Sequence, residues 1–225
     1  MKNCPVRRLI QLKQGYHHGD LRNALVIEGL KLLEQEGHSD FSLRDLARRV
    51  GVSAAALYAH FADKGALLAA IATVGFGQLR EALEVTIRDE GDLMEQFLHM
   101  GWAYVRFGIE RPALYKLMFA SEDLPAKCDE YPELEAAAEA AFGTLTGVLE
   151  HLQRRGLVRA GDPETDGLSV WAHVHGLTSL IITGRVECAC DPAPQPAEVV
   201  RSSLETLLGG LRSPARPVRV PAAAP

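Results

Sequence analysis

Cysteine, long apolar runs and aromatic side chains are all scarce in this 225-residue sequence. The 4 cysteines are too few and too scattered for a disulfide scaffold, which excludes the small cross-linked extracellular domains. No uninterrupted apolar stretch approaches the roughly 18 residues of a membrane-spanning helix, and the N-terminus lacks a long apolar leader with a cleavage site. We therefore expect a protein of the cytoplasm.

The pattern of apolar residues also lacks strands. Valine and isoleucine are isolated instead of alternating with polar residues in short runs, so no sheet is predicted. Apolar residues recur at helical spacing almost throughout, as in Leu43, Leu46, Ala47 and Val50. Glycine, proline and acidic breaks divide the chain into eight or nine helices, of which the first three are short. The sequence therefore predicts an all-α fold.

Charge is distributed unevenly along the chain. Residues 1–64 carry 10 Lys or Arg against 7 Asp or Glu, whereas the remainder carries 14 against 22. A basic N-terminal part on an acidic body is typical of a protein that offers one end to a polyanion, because phosphate contacts need cations and the body is repelled.

Two short helices joined by a tight turn are predicted within that basic part. Ser42 followed by Asp45 has the form of a capping box, so a helix begins there and continues to about Val50. The chain then turns at Gly51 and restarts with Ser53 as the N-cap. This is a helix-turn-helix pattern, whose second helix enters the major groove of DNA. A packed three-helix unit without DNA binding remains the alternative.

The helical spacing assigns two faces to the second helix. Ala54, Ala55 and Tyr58 are expected to face DNA, with the tyrosine hydroxyl on a phosphate oxygen, while Leu57 and Phe61 face inward. The next helix is expected to begin after Asp63, and a domain boundary falls between positions 62 and 68.

At this point the sequence resembles the TetR-type bacterial transcriptional regulators. The resemblance lies in YHHGDLRNALVIEGLKLLEQEG at residues 16–37 and FSLRDLARRVGVSAAALYAHFADKGALLAAIA at residues 41–72. It implies a three-helix DNA-binding domain, a fourth helix that connects it to a helical ligand-binding and dimerising body, and repression relieved by a small molecule. No catalytic machinery and no cofactor are expected.

Roles carried over by position complete the expected DNA-binding surface. The implied residues are Ser42, Arg44, Ser53, Ala54, Ala55, Ala56, Tyr58, His60 and Lys64. The alanines depart from the family, since many relatives carry a polar residue there and methyl groups contact little besides thymine methyls. Base reading is then expected to depend mostly on Arg44, on DNA shape and on arginines of the N-terminal arm.

A second resemblance lies in the body. RPALYKLMF at residues 111–119 and WAHVHGLTSL at residues 171–180 resemble the C-terminal domain of a TetR subgroup with a Trp-His-Gly signature, here Trp171, His175 and Gly176. The glycine would allow close approach of another helix, either at a core crossing or at a dimer seam.

Aromatic and thioether side chains are concentrated in this body, so a ligand pocket is predicted, although ordinary core packing would give the same pattern. A histidine on an apolar face, such as His175, is more often a satisfied core residue than a ligand contact. The predicted ligand-binding residues are Phe97, Met100, Tyr104, Tyr115, Phe119, Trp171 and His175.

The whole chain then divides into a flexible basic arm at 1–15, a DNA-binding domain at 16–64, a ligand-binding and dimerisation domain at 65–212 and a disordered tail at 213–225. In the family, helices such as those expected at about 163–183 and 196–211 pair across a two-fold axis. A homodimer also suits palindromic half-sites roughly 34–36 Å apart.

Two other functions remain open at this stage. Cys188 and Cys190 form a Cys-X-Cys pair that, with His173 and His175, could hold a metal or sense oxidants. Alternatively, the body of a DNA-binding regulator could bind a protein partner in place of a small molecule.

Overall fold

A computed structural model describes residues 20–88, 90–120, 124, 130–186 and 195–212 of the chain. The expected arm, the expected tail and the pair Cys188 and Cys190 lie outside these residues. The described part contains nine helices and no strand, which confirms the all-α prediction. The helices are α1 (Leu21–Glu36), α2 (Leu43–Val50), α3 (Ala54–Tyr58), α4 (Lys64–Glu84), α5 (Leu93–Glu110), α6 (Pro112–Ala120), α7 (Pro132–Arg154), α8 (Pro163–Ile182) and α9 (Pro196–Arg212).

Side-chain caps fix the starts of the short N-terminal helices. The Ser42 hydroxyl accepts the backbone N–H of Arg44 at 3.1 Å, and Ser53 accepts that of Ala56 at 3.1 Å. Gly51 ends α2 with a φ of 81°, a left-handed conformation that glycine adopts without strain. These local signals produce the predicted helix-turn-helix.

The long helix α4 connects the two parts of the chain. It begins at the predicted cap, Asp63, whose carboxylate accepts the Ala66 N–H at 2.8 Å. It packs against α1 on one side and against α5, α6 and α7 on the other. Its length and apolar composition would suit a membrane span, but 56% of that stretch is buried inside the protein. We therefore regard α4 as a core helix.

The body closes around α5, which contacts α4, α6, α7, α8 and α9. Two glycines allow this crowding: a Cβ on Gly101 would lie 2.3 Å from Leu204 of α9, and one on Gly108 would lie 2.3 Å from Thr178 of α8. Gly176 differs, because a Cβ there would have no neighbour within 4 Å in the described chain. It therefore marks no core crossing, and the dimer seam is the remaining alternative.

Candidate nucleic-acid interface and internal cavity

The inward face of α3 holds the helix-turn-helix together. Leu57 and Phe61 are 0% and 2% exposed, and Leu46 of α2 is also fully buried. Tyr58, by contrast, is half-exposed. Leu57 on α3 and Phe61 just after it therefore face inward, as predicted, whereas Tyr58 faces solvent.

The outward surface of α2 and α3 holds the residues expected to contact DNA. Those exposed to solvent are Ser42, Arg44, Ser53, Ala55, Tyr58 and His60, while Ala54 and Ala56 are half-buried. Arg48 on α2 pairs with Asp45, whereas no carboxylate among the described residues pairs with Arg44. The Arg44 guanidinium thus remains available to a phosphate or a base edge.

Lys64 lies at the start of α4, beside the same surface. Its ammonium nitrogen is 5.8 Å from the centre of the Phe41 ring, a cation–π distance. The side chain is half-buried, so its methylenes lie along protein and only its charged end can reach an anion. The first turn of α4 adds the positive end of the helix dipole.

An internal cavity of about 260 Å³ lies within the body. The residues that line it belong to α4, α5, α6, α7, α8 and α9, and none of those described is charged. They are Phe76, Leu79, Leu83, Phe97, Met100, Gly101, Tyr104, Met118, Phe119, Ala138, Ala141, Phe142, Leu145, Val170, Trp171, Val174 and Leu204. The volume is close to the lower end of the roughly 300–1,000 Å³ typical of small-molecule sites.

The residues predicted to bind a ligand divide into two groups. Phe97, Met100, Tyr104, Phe119 and Trp171 line the cavity. The other two, Tyr115 and His175, lie behind this wall and contact it through hydrogen bonds and ring packing. The predicted ligand-binding residues include none from α4, α7 or α9, because helical periodicity marks the inner faces of these helices but does not indicate that the faces meet a cavity.

Phe119 occupies the centre of an aromatic cluster. Its ring centre lies between 4.9 and 6.4 Å from those of five other rings. These rings belong to Phe76, Tyr104, Tyr115, Trp171 and His175. Because the rings come from α4, α5, α6 and α8, a substitution at Phe119 would alter the packing of all four helices.

A chain of hydrogen bonds links Trp171 and Tyr104 of the cavity wall to Tyr115 and His175. Trp171 donates its indole N–H to the Tyr104 hydroxyl oxygen at 3.0 Å, and the Tyr104 and Tyr115 oxygens are 3.3 Å apart. The Tyr115 oxygen in turn lies 2.6 Å from Nδ1 of His175. His173 faces elsewhere and contacts the Ser203 hydroxyl at 2.7 Å.

Burial sets the protonation states of this chain. It raises the pKa of Tyr104 far above the usual range and also raises the pKa of Tyr115, so both remain neutral hydroxyls. Burial lowers the pKa of His175, which favours its neutral form. The network therefore consists of neutral groups at neutral pH.

The geometry defines a helix-turn-helix DNA-binding regulator with a separate cavity-containing body. Family comparisons agree: residues 27–71 match the profile described as bacterial regulatory proteins of the tetR family, and residues 97–207 match the tetracyclin repressor-like C-terminal domain. The chain belongs to the TetR family of transcriptional regulators, which are DNA-binding transcription factors and not enzymes. The match does not specify the Trp-His-Gly subgroup, so that assignment stays a prediction.

Solved structures share this fold. A protein of unknown function from Rhodococcus sp. RHA1 is 32% identical, with a TM-score of 0.75 over 89% of this chain and 100% of its own. PfmR, a TetR family regulator from Thermus thermophilus, is 23% identical, with a TM-score of 0.60 over 84% and 99%. FadR from Bacillus subtilis, in complex with stearoyl-CoA, is 15% identical, with a TM-score of 0.65 over 84% and 98%. No curated protein matches the sequence significantly.

Proposed function

We propose that this chain is a homodimeric, cytoplasmic repressor that leaves its operator when a small molecule fills the cavity. The observation that carries the proposal is the double role of α4. Three of its side chains, Phe76, Leu79 and Leu83, line the cavity, while its first turn follows the helix-turn-helix directly. Anything that displaces this wall displaces the helix that supports the DNA-binding surface.

The proposed release is a shift between two settings of α4. A molecule that fits the cavity better in one setting increases the population of that setting in proportion to its differential affinity. In a dimer, the same movement changes the separation of the two α3 helices, which must match half-sites about 34–36 Å apart. DNA and ligand then bind with negative coupling.

Apolar side chains on α8 support the homodimer. Leu168 and Leu180 are 55% and 48% exposed, so the described part of the chain leaves these two side chains of α8 uncovered. Gly176 lies between them along the helix, with open space at its Cβ position. A second copy of α8 with α9 would cover these side chains, as expected of a two-fold interface.

The proposal of a small-molecule effector is also supported by the stearoyl-CoA complex of the Bacillus subtilis relative. That ligand belongs to a protein only 15% identical and does not identify the effector here. The support is confined to the kind of partner, since both chains share the helical body.

A gel shift with the DNA that flanks the gene of this chain tests the proposed function. We expect salt-sensitive, sequence-preferring binding that an unrelated fragment of equal length does not show. Binding of both fragments with equal affinity, or of neither, would contradict it. Size-exclusion chromatography with light scattering on the same sample tests the dimer, for which a monomer at micromolar concentration would be the opposing result.

A further inference from the structure

The charge and polarity of the cavity wall identify the chemical class of its occupant. We propose that the cavity selects an uncharged, largely apolar molecule that donates one hydrogen bond to the hydroxyl oxygen of Tyr104. This proposal rests on the proposed function, because it assumes that the cavity is the effector site.

The exclusion of anions follows from the composition of the wall. None of the 17 residues described as lining the cavity carries a charge. A carboxylate or phosphate entering this space would lose its water without gaining a cation or a hydrogen-bond donor. Apolar contact therefore accounts for most of the binding, and a charged group must remain outside.

Among the 17 described lining residues, only Tyr104 and Trp171 carry a side-chain oxygen or nitrogen atom. The indole of Trp171 has a single N–H and no acceptor, and it already gives that hydrogen to the Tyr104 oxygen at 3.0 Å. Trp171 thus offers the cavity no further polar group. Of the described lining side chains, Tyr104 is therefore the one that can make a directional contact with a ligand.

The direction of the hydrogen bonds in this chain decides whether the Tyr104 hydroxyl can donate to a ligand or accept from it. His175 Nδ1 lies 2.6 Å from the Tyr115 oxygen and 3.3 Å from the Tyr104 oxygen. We infer the neutral tautomer that carries its hydrogen on Nε2, so that the lone pair of Nδ1 accepts from the nearer hydroxyl, that of Tyr115. With that tautomer Tyr115 has no hydrogen left for Tyr104, and the Tyr104 hydroxyl donates its own hydrogen to the Tyr115 oxygen at 3.3 Å. The Tyr104 oxygen has two acceptor sites, and Trp171 fills one. One acceptor site remains, and no donor.

A hydroxyl group on an apolar skeleton meets these conditions, and a phenol meets them best. It donates strongly and accepts weakly, and its ring can pack against Phe119 and Trp171, whose ring centres are 6.0 Å apart. An ether of the same shape can only accept a hydrogen bond. Its oxygen would therefore meet the open acceptor site of Tyr104 with no hydrogen between the two oxygens. A carboxylate of the same size also lacks a donor and carries a charge.

We call the preference for a ligand that donates a hydrogen bond to Tyr104 the donor rule. Isothermal titration calorimetry of the full-length protein with three matched probes tests it. The probes are 4-propylphenol, its methyl ether 4-propylanisole and 4-propylbenzoate. We expect the phenol to bind at least about fivefold more tightly than the ether, which corresponds to one ordinary net hydrogen bond. We expect the benzoate to bind at least about a hundredfold more weakly than the phenol.

Tyr104→Phe removes the acceptor and keeps the ring, so the preference for the phenol over the ether should fall to within about twofold. Tyr131→Phe, which removes a hydroxyl from a residue at the start of α7 that is not among the lining residues, is the matched control and should keep the full preference. Circular dichroism melting verifies that each variant folds. If Tyr104→Phe does not fold, Tyr104→Leu is used, because it also lacks the hydroxyl oxygen and should show the same loss of preference.

The donor rule is overturned if the ether or the benzoate binds wild-type protein as tightly as the phenol, or if no probe binds. A gel shift on the same sample separates this failure from failure of the proposed function. Intact operator binding without probe binding contradicts the donor rule alone. Tight phenol binding that leaves operator binding unchanged supports the donor rule and contradicts the proposed function.

Discussion

Arg111 bridges the two parts of the chain, with its Nε atom 3.4 Å from the Glu34 carboxylate on α1. Its guanidinium also donates to the Gln78 side chain on α4. Arg111 lies between α5 and α6, and the far end of α6 carries Met118 and Phe119, which line the cavity. The short helix α6 therefore extends from the cavity wall to the DNA-binding unit.

Removing this bridge should reduce the coupling between ligand binding and DNA binding more than it reduces the stability of the fold. With Arg111→Ala, we expect the factor by which a ligand changes DNA affinity to fall severalfold, because α6 loses its polar contacts with α1 and α4. Anisotropy titrations of labelled operator DNA, with and without ligand, measure this factor. Arg106→Ala is the control, since within the described residues Arg106 pairs with Glu110 on its own helix and with no other carboxylate. An unchanged factor in Arg111→Ala would contradict this route.

Lys64→Ala should weaken binding to all DNA sequences alike and lower the salt slope by about one, because the ammonium at the start of α4 is expected to contact a phosphate. Affinity measured for several operators over a series of salt concentrations tests it. Lys116→Ala, an exposed lysine on α6, should leave both quantities unchanged. A change in preference among operators would show that Lys64 reads bases instead.

Two helix glycines should respond in opposite directions to alanine. In Gly108→Ala the new methyl would lie 2.3 Å from Thr178 and 3.1 Å from Tyr115, so we expect a loss of about 1–3 kcal/mol in the free energy of unfolding. Gly143→Ala meets nothing within 4 Å and should gain about 0.5–1 kcal/mol from helix propensity. Urea denaturation measures both. A neutral Gly108→Ala would mean that α5 and α8 can move apart easily.

His175 should make stability depend on pH. Burial lowers its pKa in the folded protein below the usual 6.5, so the unfolded chain binds more protons in the window just below that pH. The stabilisation is complete above about pH 6.5 and is lost as pH falls through the folded pKa. Melting temperatures between pH 7.5 and 5.5 should therefore fall more in wild type than in His175→Asn, which keeps an acceptor near the Nδ1 position.

The control for that comparison is His151→Asn, an exposed histidine on α7. It should follow the wild-type pH dependence. Equal slopes for wild type and His175→Asn would indicate that the histidine is solvated and does not depend on its contact with Tyr115.

Local signals explain why the helix-turn-helix was predictable. Ser42, Ser53 and Asp63 are caps that act within three residues, and Gly51 ends a helix through its own backbone. The inward position of Leu57 follows from helical spacing alone. Each of these features is decided by neighbours in sequence, so no knowledge of tertiary contacts was required.

The cavity could be anticipated only in part, because its wall depends on contacts between distant helices. Tyr115 and His175 are 60 residues apart, and nothing in the sequence indicates that they bond to each other behind the wall. Likewise, the apolar spacing on the inner face of α7 predicts burial whether that face packs against protein or lines a cavity. That the alanine surface of α3 contacts DNA stays a prediction, because contact requires more than the exposure of the side chains.

The central claim is that occupancy of the cavity and binding of DNA oppose each other. The most direct test measures the operator Kd in saturating 4-propylphenol and, separately, the 4-propylphenol Kd in saturating operator. We expect each ligand to weaken the other by the same factor, of roughly 5- to 150-fold, because such coupling is reciprocal. An operator Kd that stays constant while the phenol saturates the protein would contradict the account.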